Sequence, residues 1–219
     1  LVGESGGGKS TIANLIARFW DTQAGTVRIG NVDVRDMDYE EWMKQVSIVF
    51  QDTNLFKMSI LDNVAFYKPG ATREEVLRAL HLAQCDDILE KLPNGADTVI
   101  GTKGVYLSGG EMQRITLARA ILKDAPVVLL DEATAFADAE NEHLIQKALD
   151  ELLRGKTVLM IAHRLSTVIH ANQICVLEHG KIVERGTHQE LLKASGIYAH
   201  MFEEYQNSIS WKIGGAAVC

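Results

Sequence analysis

Gly3-Glu4-Ser5-Gly6-Gly7-Gly8-Lys9-Ser10 fits the spacing G-x-x-x-x-G-K-[ST]. Glycines at this density let successive backbone N–H groups curl around phosphate oxygens, and a helix starting behind them points its positive end at the same anion. Lys9 is then placed to reach terminal phosphates, and the Ser10 hydroxyl to coordinate Mg²⁺. A Gly-rich helix entry with a chance lysine does not reproduce the whole match followed by an amphipathic helix. Further on, Val127-Val128-Leu129-Leu130-Asp131-Glu132 is an apolar strand ending in two acids. A buried strand delivers such carboxylates to a sheet edge, where Asp131 can hold the Mg²⁺ shell and Glu132 can polarise an attacking water. Many strands end in Asp-Glu, so this pair gains its meaning from the phosphate loop. Ser108-Gly109-Gly110 opens another helix and makes a second anion cradle, although alone it would read as a simple cap.

The elements that must position these residues are legible from periodicity. Ile12, Leu15, Ile16, Phe19 and Trp20 predict a helix over Ser10–Trp20. Thr26–Ile29 and Val32–Val34 flank Gly30-Asn31 as a hairpin. Val46–Phe50 is a short apolar strand, and Ser59 to Leu92 turns helical, with Thr72 and Glu75 as a capping box. Pro93-Asn94-Gly95 breaks the chain. A helix follows Ser108-Gly109-Gly110 to about Lys123, with Met112, Ile115, Ala118 and Leu122 on one face. Pro126–Leu130, Thr157–Ala162 and Gln173–Leu177 read as strands, the first two as buried ones. Glu140–Leu153 is an amphipathic helix with Leu144, Ile145, Ala148, Leu149 and Leu152 inward, and Gly155 sits where a C-cap belongs. Thr187 and Glu190 form a second capping box. Strands alternating with helices imply an α/β sheet, at least partly parallel, with an inserted helical stretch between Ser59 and Lys123.

Bulk properties are those of a globular protein: 219 residues, 47% hydrophobic and 23% charged, with a formal net charge of -7. The acidic balance argues against nucleic acid as the main partner, because a phosphate backbone wants a basic face. Cys85, Cys175 and Cys219 form no C-x-x-C pair and read as free thiols. No apolar run reaches the ~18 residues of a membrane helix. Leu1-Val2 reads as the end of a strand leading into the phosphate loop, so the expectation is a domain truncated at its N-terminus.

Leu107-Ser108-Gly109-Gly110-Glu111 resembles the ABC signature motif, L-S-G-G-Q in its common form, with Glu in the last place. Other ABC motifs follow in order. Gln51 resembles the Q-loop glutamine, which links Mg²⁺ and water to a membrane domain. His163, in Ile161-Ala162-His163-Arg164-Leu165-Ser166-Thr167-Val168, resembles the switch histidine that contacts the γ-phosphate. Asp138 matches the D-loop aspartate, although Ala135-Phe136-Ala137 departs from the usual residues before it. The resemblance covers essentially the whole chain. It implies an α/β P-loop NTPase fold of the ABC type, with a mostly parallel sheet core, antiparallel β strands and an inserted α-helical subdomain at about 55–123, in one ABC ATPase domain over 1–219. It also implies ATP and Mg²⁺ as cofactors. Glu132, His163 and Gln51 would be catalytic, and Ser10, Gln51 and Asp131 would hold the metal. Nucleotide contacts would come from Gly3, Glu4, Ser5, Gly6, Gly7, Gly8, Lys9, Ser10 and Thr11, and from Ser108, Gly109, Gly110, Glu111 and Asp138. The last group would act on a second ABC ATPase domain in a head-to-tail dimer, where the phosphate loop of one subunit and the signature of the other sandwich one ATP. The residue that stacks on adenine in relatives lies upstream of the phosphate loop, outside this chain. The acid usual before the signature in exporters is absent at Gly101-Thr102-Lys103-Gly104.

The resemblance implies ATP hydrolysis that powers transport across a membrane, at the cytoplasmic face, with a transmembrane domain fused upstream. Leu55-Phe56, Ser59-Ile60, Asp62-Asn63-Val64 and the residues around His163 are similar to exporter-type domains. A soluble ABC ATPase acting in DNA repair or translation is the alternative, but the long coiled-coil insertions or tandem ATPase domains of those relatives do not appear. A binding-only regulatory domain fits poorly with intact Lys9, Asp131, Glu132 and His163.

Overall fold

The structure, a computed structural model, describes residues 1–50, 54–101, 105–131, 139–162 and 164–214. Along the chain lie β1 (Val2–Gly3), α1 (Lys9–Ile16), β2 (Arg28–Ile29), β3 (Val32–Asp33), α2 (Tyr39–Gln45), β4 (Val46–Val49), α3 (Ile60–Ala65), α4 (Arg73–Leu82) and α5 (Asp86–Lys91). They are followed by α6 (Gly109–Lys123), β5 (Val127–Asp131), α7 (Ala139–Leu153), β6 (Thr157–Ile161), β7 (Ile174–Glu178), β8 (Lys181–Gly186), α8 (His188–Ala194) and α9 (Ile197–Gly214). Two compact units result: Leu1–Trp20 with Met160–Cys219, and Asp21–Leu159.

In the first unit β1 pairs parallel to β7, and β7 pairs antiparallel to β8. Val2, Leu165, Val168, Ile174, Val176, Leu191 and Tyr198 form its core. Tyr198 is fully buried, and its hydroxyl shares a hydrogen bond with His188 Nδ1 at 2.7 Å, so the phenol has the partner that burial demands. Helix α1 is shorter than its apolar stripe predicts. It stops at Ile16 because Arg18 is left-handed (φ 58), with Arg18 N–H donating to Leu15 O and Phe19 N–H to Asn14 O. That is a Schellman end built without glycine, and it leaves Trp20 59% exposed rather than inward.

In the second unit β4 and β5 pair parallel, Val46 opposite Val127 through Val49 opposite Leu130, and β6 completes a three-stranded sheet in the order β4-β5-β6. β5 is buried, as expected for a strand covered on both faces. β6 departs from expectation: Thr157 and Val158, at its start, are exposed. The hairpin strands β2 and β3 are likewise short, two residues each, because Val34 already begins a 3₁₀ turn. α6 is the hub. It packs on α3, α4, α7 and β4, burying Ile115, Leu117, Ala118 and Leu122. Thr72–Glu75 caps α4 and Thr187–Glu190 caps α8 in the first unit, both as full capping boxes. Gly155 is left-handed after α7, at φ 71.

Candidate functional site

The loop Gly3–Gly8 leaves β1 and enters α1 within the first unit. Gly3 has φ 138, and a Cβ there would stand 2.2 Å from Leu177 O of β7, so no other residue fits without moving the strand. Gly7 N–H closes a turn on Glu4 O at 3.1 Å, and Gly7 O accepts from Gly180 N–H at 3.1 Å. The loop is therefore pinned by backbone to the β7–β8 turn. Helix α1 starts behind Gly8 with no side-chain cap and no acid in its first turn. Its leading amides thus receive no cap from the N-cap side chain, and no acid in its own first turn offsets the positive end. Lys9 is buried at 5% exposure, and its ammonium donates to Gly3 O at 2.9 Å and Glu4 O at 2.8 Å. Ser10 and Thr11 are exposed at the same helix start. Amide donors, a cation and a hydroxyl around one loop are the donor set for a polyphosphate.

In the second unit Asp131 closes β5, one residue past the Val49–Leu130 pair, half-buried at the carboxyl end of a parallel strand. This is the end at which open α/β sheets bind ligands. Gln51, Glu132, Asp138 and His163 lie outside the described residues.

Ser108, Gly109, Gly110 and Glu111 form the start of α6. Ser108 Oγ accepts from Glu111 N–H at 3.2 Å, and Glu111 Oε2 accepts from Ser108 N–H at 2.8 Å, a capping box made by an acid. Gly110 packs against α7 so closely that a Cβ would meet Asn141 Cβ and Cγ at 2.9 Å. Its being glycine therefore has a packing reason besides any ligand. Burial pushes the Glu111 carboxyl up, but the Ser108 N–H and the Lys91 ammonium outweigh that and hold it below its ordinary value. Lys91 Nζ stands 3.3 Å from Glu111 Oε1.

A family model for ABC transporters matches residues 1–135. The chain belongs to the ABC transporter family. It is an exporter-type ABC nucleotide-binding domain with a P-loop NTPase fold, an ATP-binding ATPase module. Over 206 residues it is 48% identical to the ATP-dependent lipid A-core flippase of Legionella pneumophila (strain Paris), covering 94% of this chain and 35% of the flippase. Over 206 residues it is 52% identical to the mycobactin import ATP-binding/permease protein IrtA of Mycolicibacterium smegmatis, covering 94% of this chain and 24% of that protein. Among solved structures, a bacterial Atm1-family ABC exporter with ATP bound superposes with a TM-score of 0.85 at 40% identity, over 92% of this chain and 35% of that one. The chain thus spans about a third or less of the length of these relatives.

The ABC domain also carries polar residues that periodicity did not single out. Arg119, 6% exposed in the middle of α6, donates to Asn63 O at 2.7 Å, Asn54 O at 2.9 Å and Asn63 Oδ1 at 2.6 Å. Asn63 is fully buried; its amide accepts from Phe56 N–H at 2.8 Å and donates to the carbonyls of Phe56, Met58 and Ser59. The guanidinium lies 5.4 Å over the Phe56 ring, which packs on Phe66 at 4.6 Å between centroids. A charge interrupting the apolar face of an otherwise core helix was the available signal.

Proposed function

We propose that this domain binds Mg²⁺–ATP and hydrolyses it to drive an ABC exporter-type transporter, working as a head-to-tail pair with a second ABC ATPase domain. The observation that carries the proposal is the start of α1: a helix end without a side-chain cap, a glycine loop pinned to β7, and a buried lysine whose ammonium donates to the Gly3 and Glu4 carbonyls of that loop. Gly3 to Thr11 would hold the phosphates, with the Lys9 ammonium exchanging its carbonyl partners for phosphate oxygens. Ser10, Asp131 and Gln51 would hold Mg²⁺, an oxygen set suited to that ion. Bound there, the ion neutralises charge that develops on the terminal phosphoryl oxygens. Glu132 would take the proton of the attacking water, and His163 would hold the γ-phosphate. Ser108, Gly109, Gly110, Glu111 and Asp138 would face the nucleotide of the partner domain.

The length of the relatives beyond the matched region supports a transmembrane domain in the complete protein, hence work at the cytoplasmic face of a membrane. Residues 55–123, containing α3–α6, would be the helical subdomain. Phe56, Phe66 and Tyr67 are each at least 40% exposed and pack in a row, Phe56 tilted against Phe66 and Phe66 edge-to-face with Tyr67 at 5.2 Å. An exposed aromatic group on this subdomain supports a protein partner. The test is nucleotide affinity of Lys9→Ala by calorimetry. Loss of ATP affinity is expected, and unchanged affinity and turnover would sink the phosphate-loop assignment.

A further inference from the structure

We propose that Lys91 is a positioning residue for nucleotide turnover, neutralising Glu111 so that the start of α6 stays attractive to a phosphate. The inference rests on the reading of Ser108–Glu111 as the motif that meets the partner-bound ATP. It adds a residue on another helix, which the signature itself does not contain.

The need arises from the residue at position 111. A glutamine in this place could cap α6 through its amide oxygen without adding charge. Glu111 makes the same cap with a carboxylate, whose Oε2 accepts from Ser108 N–H at 2.8 Å. For the isolated helix that charge is favourable, because an acid in the first turn offsets the dipole. For a phosphate it is not. A helix N-terminus amounts to roughly +0.5 elementary charge, and one carboxylate beside it turns the sum negative. Lys91 restores the sign. Its ammonium stands 3.3 Å from Glu111 Oε1 and 3.7 Å from Asp87 Oδ2.

The position of Lys91 is secured by buried chemistry. Arg114, 1% exposed on α6, grips both oxygens of Asp87 at 2.7 and 2.9 Å and also reaches the Gln84 carbonyl. That clamp ties α5 to α6 and aims the last turn of α5 at the start of α6. Arg114, Asp87, Lys91 and Glu111 therefore alternate in charge along one line, all within the second unit. Lys91 is 64% exposed, so its pair with Glu111 adds little to folding. What it changes is the local charge. The Ser108 hydroxyl, accepting from Glu111 N–H, keeps its own hydrogen to donate to an anion.

The test is ATPase kinetics of the complete protein at low and high salt. Lys91→Ala is expected to raise KM for ATP by about three- to tenfold at low salt, with the effect shrinking as salt screens it. Lys91→Arg, which keeps the charge, should stay near the parent. The decisive comparison is Lys91→Ala made on top of Glu111→Gln: relative to Glu111→Gln alone it should change KM by less than about twofold, since no acid remains to neutralise. An equal rise in KM in both backgrounds would overturn the proposal, as would no rise in either. Ser108→Arg separates the underlying reading. Unchanged turnover in that variant would remove the signature motif from the nucleotide site, and the role of Lys91 with it.

Discussion

Replacing Asn63 by Leu should destabilise the domain by about 3–4 kcal/mol. The magnitude follows from counting what each partner retains. Ser59 O still accepts from Asn63 N–H, Met58 O still accepts from Ile100 N–H, and Phe56 O still accepts from Met58 N–H. Those three carbonyls lose one bond and keep another. Two donors lose the Asn63 oxygen as their acceptor and have no other among the described residues: Phe56 N–H and the Nη2 group of Arg119. An orphaned neutral donor costs about 1–3 kcal/mol, and a charged one lies at the upper end or above. Phe56 is partly exposed, so its amide contributes about 1 and the guanidinium about 2–3. Leu keeps the branched outline of Asn but its methyl groups are bulkier, so no cavity opens and any overpacking adds to this cost. For a chain of this size the cost amounts to about 6–16 °C in Tm. Urea unfolding, followed by circular dichroism and by the fluorescence of buried Trp42, measures it. Adding Arg119→Met to Asn63→Leu should cost less than the two single changes summed, because the stranded cation goes with its partner. A loss under 1 kcal/mol for Asn63→Leu, or strict additivity of the pair, would refute the view that this amide holds the buried charge.

Other expectations are more direct. Glu132→Gln should bind ATP like the parent and turn it over slower by a factor on the order of 10² or more, the scale of a lost general base; parental turnover would place water activation elsewhere. Burial pushes the Cys85 thiol up to about 12, so iodoacetamide at pH 8 should leave it unmodified in the folded protein and label it in urea; rapid native labelling followed by peptide mapping would contradict its burial. The carboxyls of Asp87, held by Arg114, and Glu75, held by Thr72 and Lys68, are depressed, and Asp33 beside Arg35 falls to about 2. Depressed carboxyls stabilise above their unfolded values near 4 and lose that contribution as pH drops through the folded ones. Stability measured by thermal melts should therefore fall from about pH 4 toward 2, and a rise over that window would show that these pairs do not act in the folded state.

The phosphate loop, the strand ending at Asp131 and the capped start of α6 were legible because each depends on residue types at fixed local spacing. Helix ends were less so. Arg18, Gln84 and Asp124 are left-handed after α1, α4 and α6, and none is the glycine that would announce such a turn. The stripe ending in Phe19 and Trp20 therefore ran past the real end of α1. Burial was also overstated: Thr157–Ala162 is apolar enough for a buried strand and β6 does span Thr157–Ile161, yet Thr157 and Val158 are exposed, because what covers each residue of a strand is set by tertiary packing that no local pattern encodes. The Arg119–Asn63–Asn54 and Lys91–Glu111 contacts join residues far apart in the chain, which the fold alone brings together.

The central claim is that Ser108 of one domain closes on ATP held by Lys9 of another. Sedimentation velocity of the Glu132→Gln form, with and without Mg²⁺–ATP, tests it most directly, using Lys9→Ala and Ser108→Arg added separately. The account predicts an ATP-dependent dimer that both additions abolish, Lys9→Ala by losing nucleotide and Ser108→Arg while still binding it. A Ser108→Arg form that dimerises with ATP as readily as its parent would contradict the shared site.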